Sequence, residues 1–158
     1  MSSFDKVNGF LLIDKPEGIS SFKVIQILRR VTGVKKIGHS GTLDPLATGL
    51  MICAIGRHYT RQLETLMKRN KTYTGTAIIG QSTDSYDADG TITKETDVPN
   101  SLTIDSILES KTQFEGQIEQ TPPAFSAKKI NGKRAYELAR QGQTITLEKK
   151  EVTVYDYQ

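Results

Sequence analysis

Residues 38–50 read "GHSGTLDPLATGL", a segment with one carboxylate, Asp44, among small residues. A lone carboxylate serves as a nucleophile or base only when the chain holds it against an electrophile. The flanking residues suit such a purpose. Gly38, Gly41 and Gly49 leave room for a bulky substrate and tolerate unusual dihedrals. Pro45 fixes its own φ and biases Asp44 toward an extended conformation, so the pair is expected to present the carboxylate from an exposed loop. Composition alone favours a plainer alternative, an Asp-Pro turn that only opens the strand after it.

The other chemistry-bearing residues narrow the options. Cys53 is the only cysteine and lies in the apolar run "LMICAI", which marks it as a buried small hydrophobe. A single cysteine excludes intramolecular disulfides and thiolate metal clusters, and it fits a reducing cytoplasm, the compartment expected here. With only His39 and His58 available, a histidine-rich metal site is not expected. In "SYDADG", Ser85, Asp87, Asp89 and Gly90 echo the first, third, fifth and sixth positions of a calcium loop. The first residue is Ser, however, and Thr96 stands where a bidentate Glu belongs, so calcium is rejected.

The elements around the loop follow from periodicity. "GFLLID" (9–14) predicts a short buried strand ended by the turn "KPEG". Ser20 or Ser21 is expected to cap a helix stopped by Gly33. Its apolar residues form two stripes, Phe22, Ile25 and Leu28 beside Val24, Ile27 and Val31. "LMICAIG" (50–56) predicts a second strand, and 58–69 a helix with Leu63, Leu66 and Met67 facing inward.

"KTYTGTAIIG" (71–80) alternates, with Tyr73, Gly75, Ala77 and Ile79 on one face, which predicts a strand partnered by "TITKET" across a loop at 82–90. Thr103 is expected to cap a helix to about Phe114, with Ile104, Ile107 and Leu108 as its apolar face. The segment 121–142 opens on a proline pair, turns at Asn131-Gly132 and ends as a helix stopped by Gly142; "EVTVYDY" (151–157) predicts a strand. Strands and helices do not alternate regularly enough for a doubly wound sheet. The expected fold is α+β, a mixed, largely antiparallel sheet with flanking helices and a cleft across it.

The totals agree with one domain. A chain of 158 residues can bury a real core, and 36% apolar with 25% charged residues argues against global disorder. No run approaches the roughly 18 apolar residues of a membrane helix. The net charge of +3 hides blocks: residues 1–79 carry +7, residues 80–119 carry −7 and residues 120–158 carry +3. A nucleic acid partner would explain the basic blocks, and solvated faces would explain them equally well.

The whole string breaks these ties. "GHSGTLDPLATGL" closely resembles the signature of the TruB family of tRNA pseudouridine synthases. "GFLLIDKPEGISS", "KTYTGTAIIGQSTDSYDADG" and "TPPAFSAKKINGKRAYELARQG" resemble further family segments in family order, covering the chain from Gly9 onward. Lys15 and Pro16, which lie in the first of these segments, are expected to support the Asp44 loop rather than act chemically. The resemblance implies isomerisation of uridine 55 in the T-arm loop of tRNA to pseudouridine, without cofactor or metal. It places Asp44 on the catalytic aspartate, whose chemistry parallels a retaining glycosidase carboxylate. Attack on the ribose, addition to the base and proton removal from the sugar all remain open to it.

The same resemblance puts Tyr73 on the tyrosine that stacks on the target base and His39 on a residue filling the gap left by flipped nucleotides. It makes 82–90 an acidic loop beside the cleft, with Asp87 a candidate to support groups that touch substrate; a simple surface turn accounts for the loop equally well. It makes about 120–146 a thumb-like basic insertion, in which Lys128, Lys129, Lys133 and Arg134 are candidates for RNA phosphate contacts. The partner expected is tRNA, with no membrane and no obligate protein partner, for a monomer.

Family catalytic domains continue past this length, into a segment with a second tyrosine and an active-site arginine. The chain is therefore expected to be the N-terminal portion of a catalytic domain, inactive or nearly so by itself. Two rivals stand beside this reading. One is a guide-directed synthase of archaeal or eukaryotic type, against which the "DPLATG" wording and the insertion speak. The other is a tRNA-binding protein without chemistry.

Overall fold

The computed structural model describes residues 7–122, 129–130, 133–134 and 147–158. These fall into two compact units, Met1–Thr74 and Gly75–Gln158.

The first unit is built on a three-stranded antiparallel sheet in the order β1-β3-β2. Strand β1 (Gly9–Lys15) pairs along its whole length with β3 (Gly49–Ile55), from Gly9↔Ile55 to Lys15↔Gly49. Strand β2 (Ile37–His39) adds to the other edge of β3. Between β1 and β2 runs helix α1 (Ser21–Thr32). The Ser20 side chain caps it by accepting a hydrogen bond from the Lys23 N–H at 3.2 Å. Gly33 ends it in the left-handed region at φ 70°, its N–H donating to the Arg29 carbonyl at 3.0 Å.

One face of α1 covers the sheet. Val24, Ile25 and Leu28 pack with Ile37, Met51, Cys53 and Ile55 into the core. The two expected stripes therefore merge into one: Phe22, Ile27 and Val31 are exposed. A helix of 3.6 residues per turn puts 21, 24, 25, 28 and 32 on one side, and a sheet receives only one such side. The expected helix over 58–69 is broken into α2 (Arg57–Thr60) and α3 (Leu63–Met67), and only Leu63 of its three inward candidates is buried, while Met67 is exposed.

Cys53 is fully buried, and desolvation raises its thiol above the ordinary value near 9.0. The thiol is thus protonated and inert in the folded chain. Because the unfolded chain loses that proton first, the associated stability is complete below about pH 9 and is lost as pH rises through the folded value. Urea unfolding of Cys53→Ala should show a shallower alkaline decline than the parent; equal declines would refute the assignment.

The expected strand at 71–80 does not form, and Tyr73 stands 72% exposed outside any helix or strand. Alternation marks which side chains could share a face, but a strand exists only through ladder bonds to a neighbour. "TITKET" pairs elsewhere: in the second unit, β5 (Ile92–Glu95) joins β4 (Gln81–Thr83).

Helix α4 (Ile104–Ser110) begins where expected, through a reciprocal box in which Thr103 and Ser106 each bond the other's backbone N–H. It continues as a 3₁₀ turn over Lys111–Phe114. Its apolar residues Ile104, Ile107 and Leu108 are exposed rather than buried. Strand β6 (Gly116–Gln120), unforeseen in the sequence, pairs with β9 (Lys150–Val154), which stops short of the expected Tyr157.

Strands β7 (Lys129–Ile130) and β8 (Lys133–Arg134) pair around the expected Asn131-Gly132 turn, which itself lies outside the described residues, as does the helix expected before Gly142. The described elements are α+β, and their strand pairings are all antiparallel, distributed over four small sheets. No described helix is long and apolar enough to cross a membrane.

Candidate active site

Asp44 occupies the first position of a turn. Its carbonyl accepts the Ala47 N–H at 3.1 Å, with Pro45 at the second position, where a locked φ fits. The residue is exposed, and its carboxylate makes no hydrogen bond or ion pair among the described residues.

What holds the turn lies on both sides of that carboxylate. Before it, Ser21 clamps the backbone of Leu43 twice: its Oγ donates to the Leu43 carbonyl at 2.8 Å and accepts the Leu43 N–H at 2.9 Å. The Leu43 side chain packs against the core. After it, the Pro45 carbonyl accepts the Gly18 N–H at 2.8 Å and the Lys15 Nζ at 3.2 Å. Lys15 is fully buried at the end of β1 and also donates to the carbonyls of Pro16 and Ile19, at 2.9 and 2.8 Å. Three carbonyls match the three protons of an ammonium group one to one. The Asp44 carboxylate is thus without a partner among the described residues, and its two chain neighbours are fixed.

The support role expected of Lys15 is realised, whereas that of Ser21 was visible only as a possible cap. The doubled serine could have signalled it, since one hydroxyl suffices for the cap. Ser21→Ala keeps the Ser20 cap and removes only the clamp on Leu43. It should lower stability by about 1–2 kcal/mol, read as a shift in urea midpoint at unchanged slope; an unshifted midpoint would remove Ser21 from this account.

The glycines serve packing and turning more than access. A Cβ on Gly38 would lie 2.9 Å from Leu63 Cδ1, and Gly49 sits at φ 117°, where a side chain is strained. Around Gly41 a Cβ would meet nothing within 4 Å, which agrees with an open approach.

His39 ends β2 close to the turn in sequence, half-buried, with Nδ1 2.6 Å from the Gly41 carbonyl. A carbonyl only accepts, so Nδ1 carries the proton and Nε2 is left for another partner. Tyr73 makes no described hydrogen bond or ring contact with the turn. Asp87, in the second unit, closes its own loop: Oδ1 accepts the Ser85 hydroxyl at 2.6 Å and the Asp89 N–H at 3.0 Å. Lys129, Lys133 and Arg134 lie on the β7–β8 ladder, and Lys128 lies outside the described residues. No group of three metal-ligating side chains occurs among the described residues.

An α+β unit that projects a carboxylate, unpartnered among the described residues, from a doubly anchored, glycine-flanked turn is the kind of scaffold a carboxylate-dependent enzyme needs. Residues 29–158 match the model of the TruB family pseudouridylate synthase N-terminal domain, and the chain belongs to that family. It is 51% identical over 147 residues to a tRNA pseudouridine synthase B of Chlamydia felis, covering 92% of this chain and 60% of the relative. With that of Lactobacillus acidophilus it shares 43% over 151 residues, covering 96% of this chain and 50% of the relative. The chain spans about 60% of the length of the chlamydial relative. A chain in the crystal structure of a Cbf5-Nop10-Gar1 complex is similar at 26% identity and a TM-score of 0.48, over 77% of this chain and 31% of that one.

Proposed function

We propose that the protein at its natural length isomerises uridine 55 in the T-arm loop of tRNA to pseudouridine, with Asp44 as the catalytic carboxylate. The observation that carries this reading is the Asp44 carboxylate, unpartnered among the described residues, on a turn anchored on both sides, in a chain half identical to a tRNA pseudouridine synthase B. The reaction breaks the N1–C1′ bond, turns the base and joins C5 to C1′. The C5 proton leaves and N1 gains one, so atoms and electrons balance without a cofactor.

A single carboxylate suits each of the three open roles, and a fixed backbone limits the reorganisation needed at the moment of reaction. His39, beside the turn, takes the space of the displaced loop nucleotides. Tyr73, exposed, supplies the plane for the extruded base. Asp87 shapes the acidic loop. Residues 1–158 form the N-terminal portion of the catalytic domain, and its insertion at about 120–146 contacts the RNA stem-loop through Lys128, Lys129, Lys133 and Arg134.

The test is incubation of the natural-length protein with an unmodified tRNA transcript and positional mapping of pseudouridine by carbodiimide-dependent reverse-transcription stops. A single stop reporting position 55 is expected, lost when that uridine is replaced by cytidine. Product at another position would overturn the site assignment, and no product would overturn the reaction.

A further inference from the structure

At the end of the first unit's sheet away from Asp44, β3 runs out at Gly56 into a surface hollow of about 500 Å³. Seven residues of strand at about 3.3 Å each place it roughly 20 Å along β3 from the start of that strand. Gly56 turns the chain at φ 90°, and its N–H donates to the Lys36 carbonyl at 2.8 Å. This bond brings the backbone of Lys36, ahead of β2, beside the hollow, which Arg57 at the start of α2 lines. Both are exposed, and neither pairs with a carboxylate among the described residues. Among the described residues, no acidic one lines the hollow.

Part of its wall is aromatic, formed by His58 and Tyr59. The Tyr59 ring stands edge-on to Phe10 at 5.3 Å and to His58 at 5.1 Å. Residues 21–71 carry 10 Lys/Arg against 2 Asp/Glu, so the hollow sits in a strongly positive stretch of chain. Unpaired cations beside aromatic rings are the combination that holds a sugar-phosphate strand, with charge for the phosphate and an apolar plane for ribose or base.

We propose that this hollow is a second RNA contact, in which Lys36 and Arg57 hold a backbone phosphate of the substrate tRNA away from the target uridine. It rests on the reading of tRNA as substrate but not on Asp44 chemistry. Its function is to fix the orientation of the RNA on the sheet, so that it acts on binding and leaves the chemical step alone.

The test compares the natural-length protein with Lys36→Gln/Arg57→Gln in salt titrations of affinity for unmodified tRNA, alongside single-turnover rates at saturating enzyme. The double variant should bind about tenfold more weakly, with a salt slope smaller by about 1–2 and an unchanged saturating rate. Arg29→Gln/Arg30→Gln, on the last turn of α1, serves as the control for general basic charge. Equal affinity and slope in the hollow variant would overturn the proposal, as would an equal loss in the control pair. If the parent binds tRNA but makes no pseudouridine, and the hollow variant still loses slope, the contact stands and the reaction falls. Circular dichroism melts confirm that both variants fold.

Discussion

Asp44→Asn should abolish pseudouridine formation while leaving tRNA affinity within about twofold of the parent. The side chain is exposed and bonds to nothing described, so no partner is orphaned by the change and the fold has no reason to respond. The backbone bond from Ala47 to the Asp44 carbonyl, and the anchors on Leu43 and Pro45, use main-chain atoms that an asparagine keeps. What disappears is the negative charge and the basic oxygen, which every candidate role needs. A loss of about 10³-fold or more in single-turnover rate is the scale for removing such a group. A rate within tenfold of the parent would mean that another residue carries the chemistry. Equal melting midpoints would separate the loss from unfolding.

Lys15→Met is expected to damage both the fold and the reaction, by a different route. Methionine matches the lysine stem in volume but donates nothing, so the carbonyls of Pro16 and Ile19 lose this donor and that of Pro45 keeps only the Gly18 N–H. An acceptor left unpaired inside a protein costs about 1–3 kcal/mol, and the partial burial of the Pro16 and Ile19 carbonyls puts each toward the lower end. Relief from burying a charge offsets part of this, and a net loss of about 1–3 kcal/mol is expected. Lys15→Arg should not rescue, because a planar fork cannot replace a tetrahedral ammonium aimed at three converging oxygens.

With the Pro45 anchor weakened, the Asp44 turn loosens. The single-turnover rate should then fall about tenfold at temperatures where the variant is still folded. That split distinguishes the lysine from a plain core residue, whose loss lowers the midpoint without touching the folded enzyme's rate. An unchanged urea midpoint would show that the ammonium is not the anchor.

Local grammar was legible wherever a few neighbouring residues decide the outcome. The Ser20 cap, the Gly33 stop, the Thr103 box and the strands at β1 and β3 follow from short-range chemistry. So does the Asp-Pro turn, because proline fixes its own dihedral whatever surrounds it. The mistaken strand at 71–80 marks where that grammar ends. Alternation names a face, but the bonds that make a strand come from another segment, and "TITKET" gave its bonds to Gln81–Thr83. The exposed faces of α1 and α4 follow the same rule, since periodicity describes a stripe and only a packed neighbour decides whether it is covered.

The sequence by itself determined the family and the bend that carries the Asp44 carboxylate, because both are written in contiguous residues. Tertiary structure alone decided what makes that carboxylate stand firm. Lys15 reaches Pro45 across 30 positions, and Ser21 reaches Leu43 across 22. Such partners meet only when the β1–β3 ladder and α1 close around one core, and no spacing along a chain encodes a distance through space.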